Sequence, residues 1–397
     1  MAGNSLTQIL AVTAMNVRNI PARIGSTLVA LIGIAGVVTV VVGVLSIAEG
    51  FRAVLDEAGA EDVAIVLRGG STDEMGSNFS QQEVRVVADA GQIARDGGSP
   101  VVSSELYVVI DVPLQRTGTA ANVPLRGVGS SAAKLRQGFE ITAGRMFTPG
   151  TFEVIVGRGS VTQFANLKVG DRIRSGRMEW LVVGHFRDAG SVAESEIWTD
   201  AAVLQGAYQR GASYQSIRAR LTSAAMLTAF RDTLTKDPRL NVRVFTEREY
   251  YQRQSETLVA IVSTVGVVIA MLMGLGAIFA ALNTMYSAVS ARTREIATLR
   301  ALGFGALPVI VSVLLEAVLI GLVGGLIGVA VAYLALDGQQ ASTLNFTTFS
   351  QLTFAFTVTP DLLVRGLLYS VALGFFGGLF PGIRAARMPV VTGLREL

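Results

Sequence analysis

The 397-residue chain has no cysteine and a single histidine, His185. Disulfides and cysteine metal sites are therefore excluded, as are sites built from several histidines. Its three lysines, Lys134, Lys168 and Lys236, follow Ala133, Leu167 and Thr235. A P-loop needs a Gly-Lys pair so that the lysine reaches the nucleotide phosphates, and none exists here. No Gly-x-Ser-x-Gly nucleophile elbow is present either. His185 lies in the strand-like run Trp180–Arg187 with no second histidine to share a proton relay, so it reads as a packed or surface residue. Charge is also scarce, at 16% of the chain against about a quarter in an average soluble domain.

What the chain has instead is apolar sequence, 51% of it. Four runs are long enough to cross a hydrocarbon core of about 30 Å, which takes about 20 helical residues. Ile24–Ala48, Thr257–Leu282 and Gly366–Ile383 carry no charge, and Ala306–Leu336 carries only Glu316. The last run extends backward through Leu362. The first is longer than the roughly 7–15 residues of a signal-peptide core, so it reads as a retained span. Arg18 and Arg23 precede it. Arg292, Arg294 and Arg300 stand against Glu295 in the loop 283–305, and Arg384, Arg387 and Arg395 against Glu396 in the tail 384–397. The loop 337–361 has Asp337 and Asp361 and no basic residue. With spans at 24–48, 257–282, 306–336 and 362–383, every basic segment falls on one side. The bias of Lys and Arg toward the cytoplasm then places 1–23, 283–305 and 384–397 inside, with both termini. Part of the sequence pI of 9.3 follows from this topology, and no nucleic-acid partner is needed to explain it; membrane lipids are the expected surroundings.

The segment 49–256 is then a large external domain, and 337–361 a short external loop. Charges return across 49–256 and apolar runs shorten. Phe51–Ala58 continues the first span as helix up to Gly59. The runs Val63–Leu67, Leu106–Val112, Val123–Val128, Glu153–Val156, Trp180–Phe186, Ile217–Leu221 and Val242–Phe245 read as strands. Ser80-Gln-Gln-Glu83 and Thr246-Glu-Arg-Glu249 are capping-box patterns, and the second opens a helix that runs into the second span. Gly69–Ser77 reads as a mobile loop, either a surface connector or a partner-binding tip. The fold class is an α-helical membrane protein with four transmembrane helices plus an α+β extracytoplasmic domain between helices 1 and 2. The 208 residues between the spans are enough for a core without disulfides.

Between spans two and three runs Ala291-Arg-Thr-Arg-Glu-Ile-Ala-Thr-Leu-Arg-Ala-Leu-Gly303. Ile296, Leu299 and Leu302 recur every three residues, with Val289 behind them, while Arg292, Arg294, Glu295 and Arg300 take other faces. The pattern predicts a short amphipathic helix at the membrane surface, closed by a left-handed turn at Gly303. It reads either as a charged topology anchor with an Arg292–Glu295 pair or as a docking helix for a cytoplasmic partner. Two further features lie inside the spans. Gly321/Gly325, Gly324/Gly328, Gly374/Gly378 and Gly378/Gly382 are four apart, the spacing that lets helix backbones approach closely in lipid, within one chain or between two. Glu316, the lone intramembrane acid, reads as an arginine's partner, a protonated hydrogen-bond donor to a neighbouring helix, or part of an ion pathway.

The stretch Asn283, Val289, Arg292, Thr293, Glu295, Ile296, Arg300, Ala301, Leu302, Gly303, Leu315, Glu316, Gly324, Gly325 and Gly328 resembles the permease core of the MacB/FtsX family of ABC transporters. The tail Pro381-Gly-Ile-Arg-Ala-Ala-Arg387-Met-Pro389-Val390 is similar to that family's ending. Pro124–Val128, Gly144–Phe147 and Val169–Asp171 resemble its MacB-type periplasmic core. Ala291 departs from the acid or serine that often precedes the loop arginine. The resemblance implies a permease subunit of an ABC exporter or mechanotransmission complex in the bacterial inner membrane. Arg292, Arg294, Glu295, Ile296, Leu299, Arg300 and Gly303 would then couple to a cytoplasmic ABC ATPase subunit, which would use the ATP and Mg; this chain would bind no cofactor. A second permease copy, forming a homodimer, and a periplasmic adaptor are further implied partners. Alternatives are an FtsX-like regulator of an external cell-wall hydrolase and a lipoprotein-release permease.

Overall fold

The computed structural model describes residues 5–18, 24–57, 59–345 and 350–391. Ala58, Arg23, Arg395 and Glu396, which entered the helix and charge arguments above, lie outside these. The chain divides into two compact units. One gathers 1–50, 260–339 and 356–397; the other gathers 51–259 and 340–355.

The first unit is helical. Helix α1 (Ser5–Arg18) was not foreseen. Helix α2 (Ile24–Glu57) includes the first span, and α3 (Glu247–Ser290) the second. Helix α4 (Thr293–Ala301) is the predicted loop helix, and α5 (Ala306–Leu336) and α6 (Pro360–Arg387) hold spans three and four. Four of these helices are long and apolar enough to cross a membrane. Thr359 caps α6 by accepting from the Leu362 amide, and Pro360 follows at the first helical position, where its missing N–H costs nothing.

The predicted glycines pack within this chain, on two faces of α5. Toward α6, a methyl group on Gly321 would lie 2.7 Å from the Ser370 carbonyl oxygen, one on Gly374 2.6 Å from the Ala317 carbonyl oxygen, and one on Gly378 2.5 Å from the Ala317 side chain. Gly325 faces Ser370, and Gly382 faces Ile310. Toward α2, Gly324 meets Ile34 and Leu31, and Gly328 meets Ala35 and Val38. Hydrocarbon offers apolar side chains no hydrophobic incentive to leave it, so such close backbone packing is a main source of cohesion between spans.

The second unit is built on a ten-stranded mixed sheet. Its strands are β1 (Val63–Arg68), β2 (Val102–Pro113), β3 (Ala120–Val128), β4 (Phe139–Gly144), β5 (Glu153–Gly157), β6 (Arg172–Ser175), β7 (Met178–Asp188), β8 (Ile197–Asp200), β9 (Ser216–Arg220) and β10 (Val242–Thr246). The order is β10-β1-β9-β2-β3-β8-β5-β7-β4, with β6 also paired to β7. All pairs are antiparallel except β3–β8 and β5–β7. The seven predicted strands are present; β4, β6 and β8 were missed. One face of the central strands buries Leu106, Leu125, Ile197, Trp180 and Leu204 in an apolar core. Ser80 and Glu83 form the predicted reciprocal capping box. At the other predicted box, Thr246 accepts from the Glu249 amide, while the Glu249 carboxylate turns to Arg231 and Arg253.

The loop predicted at 337–361 holds an antiparallel hairpin, Gln340–Asn345 with Ser350–Ala355, which clusters with the inserted domain.

Candidate functional site

Helix α4 has two unlike faces. Arg294, Glu295 and Thr298 are exposed, and Leu302 beyond its end is 73% exposed. Arg292, Thr293, Ile296 and Ala297 are buried; Leu299 and Arg300 are half-buried. Residues three and four apart share a helical face, so 294, 298 and 302 line one side and 292 and 296 the other. The expectation that the charges take faces other than that of Ile296 is therefore corrected at Arg292 and Arg300, which share its side. So is the expectation that Leu302 joins Ile296 on the apolar face.

Arg292 Nη2 donates to Glu316 Oε1 at 2.7 Å, with both side chains under a tenth exposed. Glu316 is thus an arginine's partner, and Arg292 pairs with it rather than with Glu295. At the other end of α4, the Arg300 guanidinium donates to the carbonyl oxygens of Ala386 and, at 3.1 Å, of Met388. These lie at the end of α6, where the last carbonyls have no partner within the helix and carry its negative dipole end, so a cation there is doubly favoured. Gly303 adopts φ +95°. Its amide donates to Arg300 O and that of Phe304 to Leu299 O, the paired bonds of a Schellman ending. This is the predicted left-handed turn.

A second constellation, in the inserted domain, went unforeseen. Sheet register assembles it. Residues two apart on a strand share a face. Tyr107 stands opposite Arg126 and Glu105 opposite Ser216, while Arg126 neighbours Trp198. Glu105, Arg126, Trp198 and Arg218 therefore all project from the face opposite the apolar core. All five N–H bonds of Arg126 are used. Nε and Nη2 donate to Glu196 at 2.8 and 2.7 Å, Nη1 and Nη2 to Glu74 at 2.8 and 2.9 Å, and Nη1 to Glu105 at 2.9 Å. Arg218 donates to Glu105 at 2.9 Å, to Glu247 and to Tyr251. Arg136 also donates to Glu247, and its Nε lies 3.9 Å from Asp188.

Burial alone would raise the carboxyl of Glu74, but Arg126 and Arg218 outweigh it and hold that group well below the usual carboxylate range. Glu105 is lowered in the same way, with burial opposed chiefly by Arg218 and Arg126. Asp188 goes the other way: burial raises it, and Arg136 only partly offsets this. Each carboxylate in the cluster faces an arginine, and among the described residues no group of His, Cys, Asp or Glu is arranged to hold a metal. The arrangement is chemically a lock. Glu74 brings in the stretch Gly69–Ser77, which is therefore anchored where a mobile loop was expected. Glu247 brings in the first turn of α3. His185 is half-buried, its Nε2 2.7 Å from the Leu167 carbonyl oxygen, as a packed histidine would be.

Two family models match this chain: the FtsX-like permease C-terminal domain over residues 259–390 and the MacB-like periplasmic core domain over residues 27–237. Among curated proteins, it is 25% identical to the macrolide export ATP-binding/permease protein MacB of Bordetella avium, over 97% of this chain and 59% of that protein. It is 24% identical to the protein of the same name from Burkholderia lata, over 93% and 54%. The chain thus spans somewhat over half the length of these relatives. The periplasmic region of MacB from Actinobacillus actinomycetemcomitans is similar at 13% identity and a TM-score of 0.38, covering 50% of this chain and 94% of that one.

Proposed function

Because the chain belongs to the family of ABC transporter permeases that join a MacB-like periplasmic core domain to an FtsX-like permease domain, we propose that it is the transmembrane component of an ATP-driven exporter or mechanotransmission complex. ATP hydrolysis is assigned to an ATPase outside these 397 residues, since this chain has no Gly-Lys P-loop. The ATPase docks on the exposed side of α4, at Arg294, Glu295, Thr298 and Leu302. Closure of the ATPase displaces α4, and α2 and α3, each of which contributes residues to both units, carry the motion to the inserted domain. The bias of arginine toward the α4 side of the spans supports a cytoplasmic α4 and an inserted domain outside a bacterial inner membrane.

The observation that carries this reading is the two-sidedness of α4. An exposed strip with a protruding leucine is held on a helix whose opposite side is tied to spans three and four. Glu295→Arg reverses one charge on that strip and touches no buried partner. It is expected to abolish copurification of the ATPase in mild detergent while leaving the permease inserted and folded. Normal copurification and normal stimulation of ATP hydrolysis would sink the docking assignment.

A further inference from the structure

Arg292 and Arg300 carry two of the positive charges of the loop, and charge alone would send both to a cytoplasmic partner. Their geometry sends them the other way. Arg292 opens α4 and is held by Glu316 of α5; Arg300, in its last turn, is held by two carbonyls at the end of α6. The fastenings are eight residues apart, about 12 Å along a helix rising 1.5 Å per residue. A short rod tied near both ends to two different helices cannot slide or tilt without moving them.

The ties are also hard to release. Arg292 cannot leave Glu316 without its own charge being pulled from a buried ion pair away from water. Arg300 satisfies two carbonyls at once through its Nη1, and its charge stays beside the negative end of α6. Helices α5 and α6 are joined by the glycine contacts at Gly321, Gly374 and Gly378, so both ties load one packed pair of helices.

We propose that Arg292 and Arg300 are positioning residues for transmission: they do not touch the ATPase but pass the displacement of α4 to spans three and four. This rests on α4 being the docking helix and divides its residues into an outer face that binds and an inner face that transmits.

The chain contains no cysteine, so paired labels need no background removed. Spin labels at Thr298→Cys and Arg387→Cys, both exposed positions, report the α4–α6 separation in the full chain in lipid nanodiscs. A narrow distance distribution is expected in the parent and a broadened one with Arg300→Gln. The same Arg300→Gln and Glu316→Gln changes, made without labels, should copurify the ATPase that the unmodified chain retains in mild detergent, yet lose at least fivefold of the stimulation of its hydrolysis. Arg300→Lys, which keeps a cation at the end of α6, should restore more than half of that loss. An unchanged distribution with Arg300→Gln overturns the proposal, as does loss of the ATPase from Arg300→Gln or full stimulation in either variant. The distance measurement needs no ATPase, so a failure of docking at Glu295 would be seen separately.

Discussion

Glu247 and Arg218 meet inside the inserted domain, with neither side chain more than 4% exposed. Arg218 donates to Glu247 Oε1, and so does Arg136. Glu247 is the first residue of the helix whose later turns form the second span, and Arg218 sits on the central strand β9. The acid suits a helix N-terminus, and Arg218 fastens that terminus to the sheet.

Glu247→Gln keeps the shape and removes the charge, leaving Arg136 and Arg218 short of a counter-ion. Breaking a buried pair from one side costs about 3–5 kcal/mol, far more than an exposed pair contributes. The chain's two tryptophans, Trp180 and Trp198, both lie in this domain, so their fluorescence reports its unfolding without labels. A clear fall in the urea midpoint is expected for Glu247→Gln in detergent. Asp96→Asn, which removes the exposed Lys134–Asp96 pair, should leave the midpoint in place. Equal midpoints for the two variants would show that the cluster does not hold the helix.

Acid should separate the carboxylates by sign. Glu74 has a folded pKa below its ordinary 4.5, so its contribution is complete above about that pH and is lost as the pH falls toward the folded value. Asp188 has a folded pKa above its ordinary 3.8, so its contribution is complete below that pH and is lost as the pH rises through the folded value. At pH 7, Glu74→Gln should therefore weaken the domain, and Asp188→Asn should leave it as stable or more so. Below pH 4.5, Glu74→Gln should lose less than the parent does. Midpoints of tryptophan unfolding between pH 3 and 7 check both; parallel curves for parent and Glu74→Gln would rule out the assignment.

The spans, the loop helix and its glycine stop were legible because each is written in consecutive residues: long apolar runs, a three-residue apolar spacing, and a glycine where φ must be positive. The core strands were legible for the same reason. Strand β4 was not, since its residues are mostly exposed and carry no apolar alternation; β6 and β8 are four residues long. The arginine–glutamate cluster draws on positions 74, 105, 126, 136, 196, 218 and 247, which only register and loop closure bring together. One signal was available. Arg126 and Arg218 each stand within a run that otherwise reads as buried strand, and a charge there requires a partner. The inward aim of Arg292 was hidden similarly, because a loop arginine and an intramembrane acid 24 residues apart become neighbours only when α4 folds back.

Spacing alone did not say whether the glycines serve one chain or two, and their surroundings make the difference measurable. Gly374 in α6 has the Ala317 carbonyl where a methyl group would go, whereas Gly36 in the first span has no atom within 4 Å of that position. Gly374→Ala forces α5 and α6 apart and is expected to destabilise by about 1–3 kcal/mol, the usual range for overpacking. Gly36→Ala meets no obstacle within the chain and exchanges a poor helix former for a good one, so it should be neutral or favourable by up to about 1 kcal/mol. The aggregation temperature of the detergent-solubilised chain reads both, falling for the first and holding or rising for the second. If Gly36→Ala instead lowers it as much as Gly374→Ala, a second molecule is packed against the first span at Gly36, and dilution should then lower the parent's temperature as well.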